Sequence, residues 1–144
     1  LEHTSMRFEK MIGKNGVTII NDAYNASPTS MKAAIEVLKQ LSGYKRKVVV
    51  LGDILELGPY SESLHRTVAE KIDHPIDIVL TYGDAVKVIV DKIKAHKKNI
   101  EAIHFDDRDK LLSHLEKYVM EDTVILFKAS RGMKFELFIE KICD

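Results

Sequence analysis

Three short stretches of this chain concentrate groups able to do chemistry. The first is Asp22-Ala23-Tyr24-Asn25, set between the apolar run Val17-Thr18-Ile19-Ile20 and the pair Ser27-Pro28. A carboxylate, a phenol and a carboxamide there can bond a ribose, a base or a neighbouring domain, or simply cap the loop that holds them. The second is Gly52-Asp53-Ile54-Leu55-Glu56, with two acids just beyond another apolar run. The third is Lys128-Ala129-Ser130-Arg131. Lys128 and Arg131 can neutralise a phosphate or a carboxylate, the arginine with two parallel hydrogen bonds, and Ser130 can donate one more. Taken singly, each of these cations is equally readable as a solvated surface charge.

Several catalytic signatures are missing. No G-x-x-x-x-G-K-[ST] loop is present, so the chain carries no phosphate cradle of that type. Neither G-x-G-x-x-G nor G-x-S-x-G occurs. Cys143 is the only cysteine, and no His, Cys or Asp spacing reads as a zinc site. Asp53 and Glu56 form a small acidic group without a metal motif. The polar stretches therefore read as one wall of a site that another domain completes.

The elements that position them follow from hydrophobic patterning. Residues 6–12 and 17–20 read as strands joined through Asn15-Gly16, an antiparallel hairpin at a sheet edge. Residues 28–41 read as a helix capped by Ser27, with Met31, Ala34, Ile35, Leu38 and Leu41 on its buried stripe. Strands are expected at 47–51, 77–81, 102–105 and 123–127. Helices follow them: from Ser61, as cap, to Ile72; around Ala85 to Ile93; from an Asp106/Asp109 start; and around Phe135 to Ile142. The basic run His96-Lys97-Lys98-Asn99 suits a helix end. His65 reads either as a packed or solvated histidine or as one hydrogen-bonded back to the acidic loop. Repeated strand–helix units predict a three-layer, Rossmann-like α/β domain: a six-stranded, mostly parallel sheet, one antiparallel edge strand, and helices on both faces. Loops after parallel strands emerge on one side, so the three polar stretches share a rim.

At 144 residues the chain is sized for one domain. Its 22 basic and 22 acidic residues argue against a broad nucleic-acid footprint. No apolar run reaches membrane-spanning length and no signal peptide is visible, so a cytoplasmic location is expected. The chain starts on Leu1, and a piece of a longer protein is expected.

Four segments carry a family resemblance: Met6-Arg7-Phe8-Glu9, Asn21-Asp22-Ala23-Tyr24-Asn25-Ala26-Ser27-Pro28-Thr29-Ser30-Met31, Gly52-Asp53-Ile54-Leu55-Glu56-Leu57-Gly58 and Lys128-Ala129-Ser130-Arg131-Gly132-Met133. They resemble the C-terminal domain of the Mur ligases, ATP-dependent enzymes of bacterial peptidoglycan precursor synthesis. The branch that adds D-alanyl-D-alanine to UDP-N-acetylmuramoyl-tripeptide is most similar, since other branches carry histidine where Asn25 stands. Ser27 stands where asparagine is common in the family, and Ala129 where glycine is common. The resemblance implies a monomeric three-domain enzyme in which residues 1–144 close over N-terminal and central domains. ATP and Mg2+ would be held mainly by the central domain. Asp22 and Asn25 would face the adenosine, with Tyr24 in support. Lys128, Ser130 and Arg131 would face the incoming dipeptide, Lys128 and Arg131 being the candidates for a catalytic part. Asp53 and Glu56 would shape the rim, and no metal ligand is assigned. The implied reaction phosphorylates the tripeptide carboxylate, and the dipeptide amine then displaces phosphate. The rival reading is a stand-alone small-ligand or protein-interaction domain.

A chain without a P-loop is expected to catalyse nothing alone. Incubated with ATP, tripeptide and D-alanyl-D-alanine, it should release no phosphate above background; measurable release would contradict the incomplete-site reading.

Overall fold

The structure is a computed structural model that describes residues 8–96 and 99–143. Met6, Arg7, Lys97 and Lys98, which figured in the expectations above, lie outside the described residues.

Among the described residues six strands form one sheet: β1 (Glu9–Ile12), β2 (Thr18–Asn21), β3 (Arg46–Gly52), β4 (Ile78–Tyr82), β5 (Glu101–Phe105) and β6 (Thr123–Lys128). Their spatial order is β1-β2-β6-β3-β4-β5, antiparallel only between β1 and β2. The hairpin turns through Asn15 and Gly16, both at positive φ (57° and 82°), as the sequence pair predicted. Five α-helices among the described residues flank the sheet: α1 (Pro28–Gln40), α2 (Ser61–Val68), α3 (Lys87–His96), α4 (Arg108–Leu115) and α5 (Glu136–Ile142). The apolar stripes of α1, α2 and α3 enclose one core with Ile20, Val49, Leu51, Val79, Val124 and Leu126. Those of α4 and α5 enclose the other with Ile19, Val48, Val50, Leu80, Ile125 and Phe127. The alternation of strand residues between the two cores is the two-residue period of a sheet covered on both faces.

The placement of β6 reverses the strand order at the middle of the sheet. The chain runs from β2 to β3 through α1 and leaves a gap that β6 later fills. The loop after β2 leads to a helix on one face and the loop after β6 to a helix on the other. A crevice opens at the carboxyl ends where adjacent strands part in this way.

Helix α1 begins as sharply as its sequence predicts. Ser27 is the cap: its Oγ accepts the Ser30 N–H at 3.0 Å, and Ser30 Oγ accepts the Ser27 N–H at 2.9 Å. Pro28 occupies the first turn, where its missing N–H costs nothing. The far end is closed by Lys47, whose Nζ donates to the carbonyls of Lys39 (3.0 Å) and Leu41 (2.5 Å). Burial of Lys47 pushes its ammonium below the usual lysine range, with Asp77 acting in the opposite direction.

Two expected helix starts differ. Ser61 is the first residue of α2 rather than its cap, because a 3-10 turn at Gly58–Tyr60 already delivers the chain in helical geometry. Helix α2 also ends at Val68, and a 3-10 turn at Ala69–Lys71 completes it. Helix α4 is capped by Asp107, whose carboxylate accepts the N–H groups of Asp109 (2.7 Å) and Lys110 (3.1 Å). Asp106 points outward instead and lies 3.3 Å from His104.

Ser27→Ala removes one half of the reciprocal cap on α1. A loss of about 1 kcal/mol is expected, read as a lower urea midpoint with an unchanged slope.

Candidate functional site

The site is built on a buried lysine. Lys128 is the last residue of β6 and shares the side of Val124 and Leu126, so its side chain runs beneath the loop between β2 and α1. It is fully buried. Its Nζ lies 3.0 Å from Oδ2 of the equally buried Asp22, an ion-pair contact outside hydrogen-bond alignment. It also donates to the Asn25 carbonyl at 2.9 Å. Asp22 itself extends the β2–β6 ladder, its N–H donating to Phe127 O at 3.0 Å. Charge, carbonyl and ladder together fix residues 22–25 over the end of β6.

The loop after β3 is fixed from several sides. Asp53 is buried, and its carboxylate accepts three backbone N–H groups: Asp84 (2.9 Å), Ala85 (2.9 Å) and Val86 (2.8 Å). Gly83 is required beside it, since a Cβ there would stand 2.3 Å from Asp53 Oδ1 on a backbone with φ of 139°. His65 is fully buried; its Nε2 accepts the Ile54 N–H at 2.9 Å, and its Nδ1 donates to Ser61 O at 2.7 Å. An accepting Nε2 requires the neutral Nδ1–H ring. Ser130 joins this loop to the third one. Its N–H donates to Asp53 O at 3.0 Å, and its Oγ accepts the Leu55 N–H at 2.8 Å.

Above this frame lies an open face. Arg131 is exposed, with its guanidinium carbon 4.7 Å above the Tyr24 ring and Nη1 donating to the Tyr24 hydroxyl at 3.2 Å. Asn25 is exposed; its Oδ1 accepts the Ala26 N–H at 2.9 Å, and its amide NH2 makes no bond among the described residues. Glu56 is exposed at a positive φ of 65°. A cavity of about 390 Å³ opens among Asn25, Ala26, Leu55, Glu56, Ser130, Arg131 and Gly132, and so touches all three loops. Arg131 also borders a second cavity of about 250 Å³, lined with Glu9, Asn21, Ala23, Tyr24 and Glu136.

The structure thus brings the three polar stretches to one rim and sorts their residues by depth. Asp22, Asp53, Lys128 and Ser130 are buried in the frame, Tyr24 is half-buried, and Asn25, Glu56 and Arg131 are exposed. His65 takes the second of its two readings, the hydrogen bond to the acidic loop. Ala129 does not have a positive φ, and its methyl lies in the core with Phe127 and Phe135. Glu9, Asn21 and Glu136 also border the rim, and the sequence reading gives none of them a site role. Asn21 carried a readable signal: an amide at a strand end, whose Oδ1 accepts the Ala23 N–H at 3.0 Å. Among the described residues no three His, Cys, Asp or Glu side chains are gathered as a metal ion would need. No described helix is long and apolar enough to cross a membrane.

The polar, cation-bearing rim of this doubly wound α/β domain lies at its strand-order reversal, the place where ligands bind in open α/β sheets. Residues 6–131 match the family described as "Mur ligase, glutamate ligase domain", and the chain belongs to that family. The UDP-N-acetylmuramoyl-tripeptide–D-alanyl-D-alanine ligase of Bacillus subtilis is 41% identical over 145 residues, covering 100% of this chain and 32% of that protein. The Escherichia coli enzyme of the same name is 36% identical over 121 residues, 82% of this chain and 25% of that protein. The solved MurF ligase from Thermotoga maritima, in complex with ADP, superposes with a TM-score of 0.76 at 31% identity, covering 97% of this chain and 31% of that one. The chain spans between a quarter and a third of the length of such curated relatives.

Buried and exposed cations on one rim should respond differently to substitution. Lys128→Met leaves the Asp22 carboxylate buried without that cation, a loss of about 3–5 kcal/mol. Arg131→Met at the surface should stay within about 0.5 kcal/mol. Urea unfolding of the two variants checks the contrast; equal midpoints would contradict it.

Proposed function

We propose that this chain is the dipeptide-presenting domain of an ATP-dependent amide ligase that joins D-alanyl-D-alanine to UDP-N-acetylmuramoyl-tripeptide. The observation that carries the reading is the convergence of three polar loops, with Arg131 exposed and making no ion pair among the described residues, in a chain that matches such ligases over its whole length.

The residues present fit a share of a nucleotide site. Asn25 offers a free amide to a base or ribose, and Tyr24 offers a ring edge beneath Arg131. They do not fit a magnesium site, because both Asp53 oxygens are committed to backbone N–H groups and no ligand set is gathered among the described residues. No step is assigned to magnesium on this chain. ATP, when bound, supplies the phosphoryl group that activates the tripeptide carboxylate. The chain's own part is orientation. Arg131 takes the carboxylate of the incoming dipeptide through two parallel hydrogen bonds. The Ser130 hydroxyl, whose oxygen already accepts from Leu55, has its hydrogen left to donate. Lys128 and Asp22 act from below, by holding the loop that carries Tyr24 and Asn25. Closure of this rim on the rest of the enzyme, in the cytoplasm and as a monomer, would exclude water from an acyl phosphate that otherwise hydrolyses. The other two thirds of the relatives' length is the place for the P-loop and the UDP-sugar site.

In the intact ligase, Arg131→Ala is expected to lower kcat/KM for D-alanyl-D-alanine by about 100-fold. Asn25→Ala is expected to raise KM for ATP by about tenfold or less. Steady-state assays with each substrate varied in turn check both, and unchanged kinetics in the two variants would overturn the reading.

A further inference from the structure

Glu56 occupies the left-handed region at φ 65°, where glycine is the favoured residue. Nothing inside the fold accounts for a glutamate there. Its side chain is exposed and makes no hydrogen bond or ion pair among the described residues. It lines the cavity of about 390 Å³ together with Asn25, Ser130 and Arg131. Arg131 borders that cavity from the loop after β6, and its guanidinium rests on the ring and hydroxyl of Tyr24, which lines the neighbouring cavity of about 250 Å³. Glu56 and Arg131, carried by different loops, thus line one cavity in common and make no ion pair with each other.

That pattern fits a small zwitterion, with an ammonium for the carboxylate and a carboxylate for the guanidinium. It disfavours a bare phosphate, which would meet the negative charge of Glu56. We propose that Glu56 binds the ammonium end of the incoming dipeptide while Arg131 holds its carboxylate. The inference rests on the ligase reading above and deepens it. The nitrogen that must attack would then be held by a residue of this chain, and a free amine would be selected over a blocked one.

The test uses the intact ligase with Glu56→Gln and Glu56→Gly. Both should raise KM for D-alanyl-D-alanine about tenfold and leave KM for ATP unchanged. N-acetyl-D-alanyl-D-alanine, which lacks the ammonium, should inhibit wild type and Glu56→Gln equally. Glu56→Gly relieves the positive φ, so its thermal midpoint should hold or rise while dipeptide binding falls, which a structural role would not produce. An unchanged dipeptide KM in Glu56→Gln, or an effect on ATP alone, overturns the inference and leaves the ligase reading standing. If wild type forms no amide, the ligase reading fails instead. Calorimetry on the same protein then decides the ammonium site: D-alanyl-D-alanine binding no tighter than its N-acetyl form overturns it, and binding about tenfold tighter upholds it.

Discussion

The rim depends on one desolvated contact, the ammonium of Lys128 against the carboxylate of Asp22 with the Asn25 carbonyl as third partner. It joins the end of β6 to the loop after β2, Lys128 and Asn25 lying 103 positions apart in sequence. Two charges so deeply buried add little net stability, because desolvation consumes most of their attraction. What they give is a single geometry: any arrangement that separates them leaves a charge in the core. The loop above them is therefore fixed before a ligand arrives. The three N–H bonds to Asp53 and the Ser130–Leu55 bond extend the same fixity to the loop after β3.

A fixed base changes what the exposed groups can do. Arg131 rests on the Tyr24 ring and hydroxyl, so part of its freedom is already lost before binding. Asn25 is exposed, yet its carbonyl is tied to Lys128 and its own Oδ1 to Ala26. Precision at the surface thus comes from charges that never reach the surface. That division suits the proposed role, in which the domain presents one substrate to chemistry assembled elsewhere.

Much of this was legible in the sequence, and the reason is topological. Loops after parallel strands emerge together, so Asp22, Asp53 and Arg131 could be placed on one rim from the strand–helix alternation alone. Capping by Ser27 and Pro28 followed from side-chain chemistry within one turn. Depth was not legible. Lys128 follows an unbroken apolar run, and read as a loop residue it looked free to reach a ligand. Counted as the sixth residue of β6 it takes the parity of Val124 and Leu126 and turns inward. Asp53 likewise looked like a rim acid, and its three N–H partners come from Asp84, Ala85 and Val86, about 30 residues on, a pairing with no local signal. His65 needed the same long-range information, since Ile54 meets it only after α2 folds back. Local rules located the elements; the partners of buried polar groups emerged only with the tertiary fold.

In the proposed role Lys128 is a tether and Arg131 the contact. A crystal structure of the intact ligase with an ATP analogue and D-alanyl-D-alanine separates the two. The expected result is Arg131 on the dipeptide carboxylate, with Lys128 still buried against Asp22 and the Asn25 carbonyl. Lys128 withdrawn from Asp22 and bonded to the ligand, with Arg131 left on Tyr24, would contradict it.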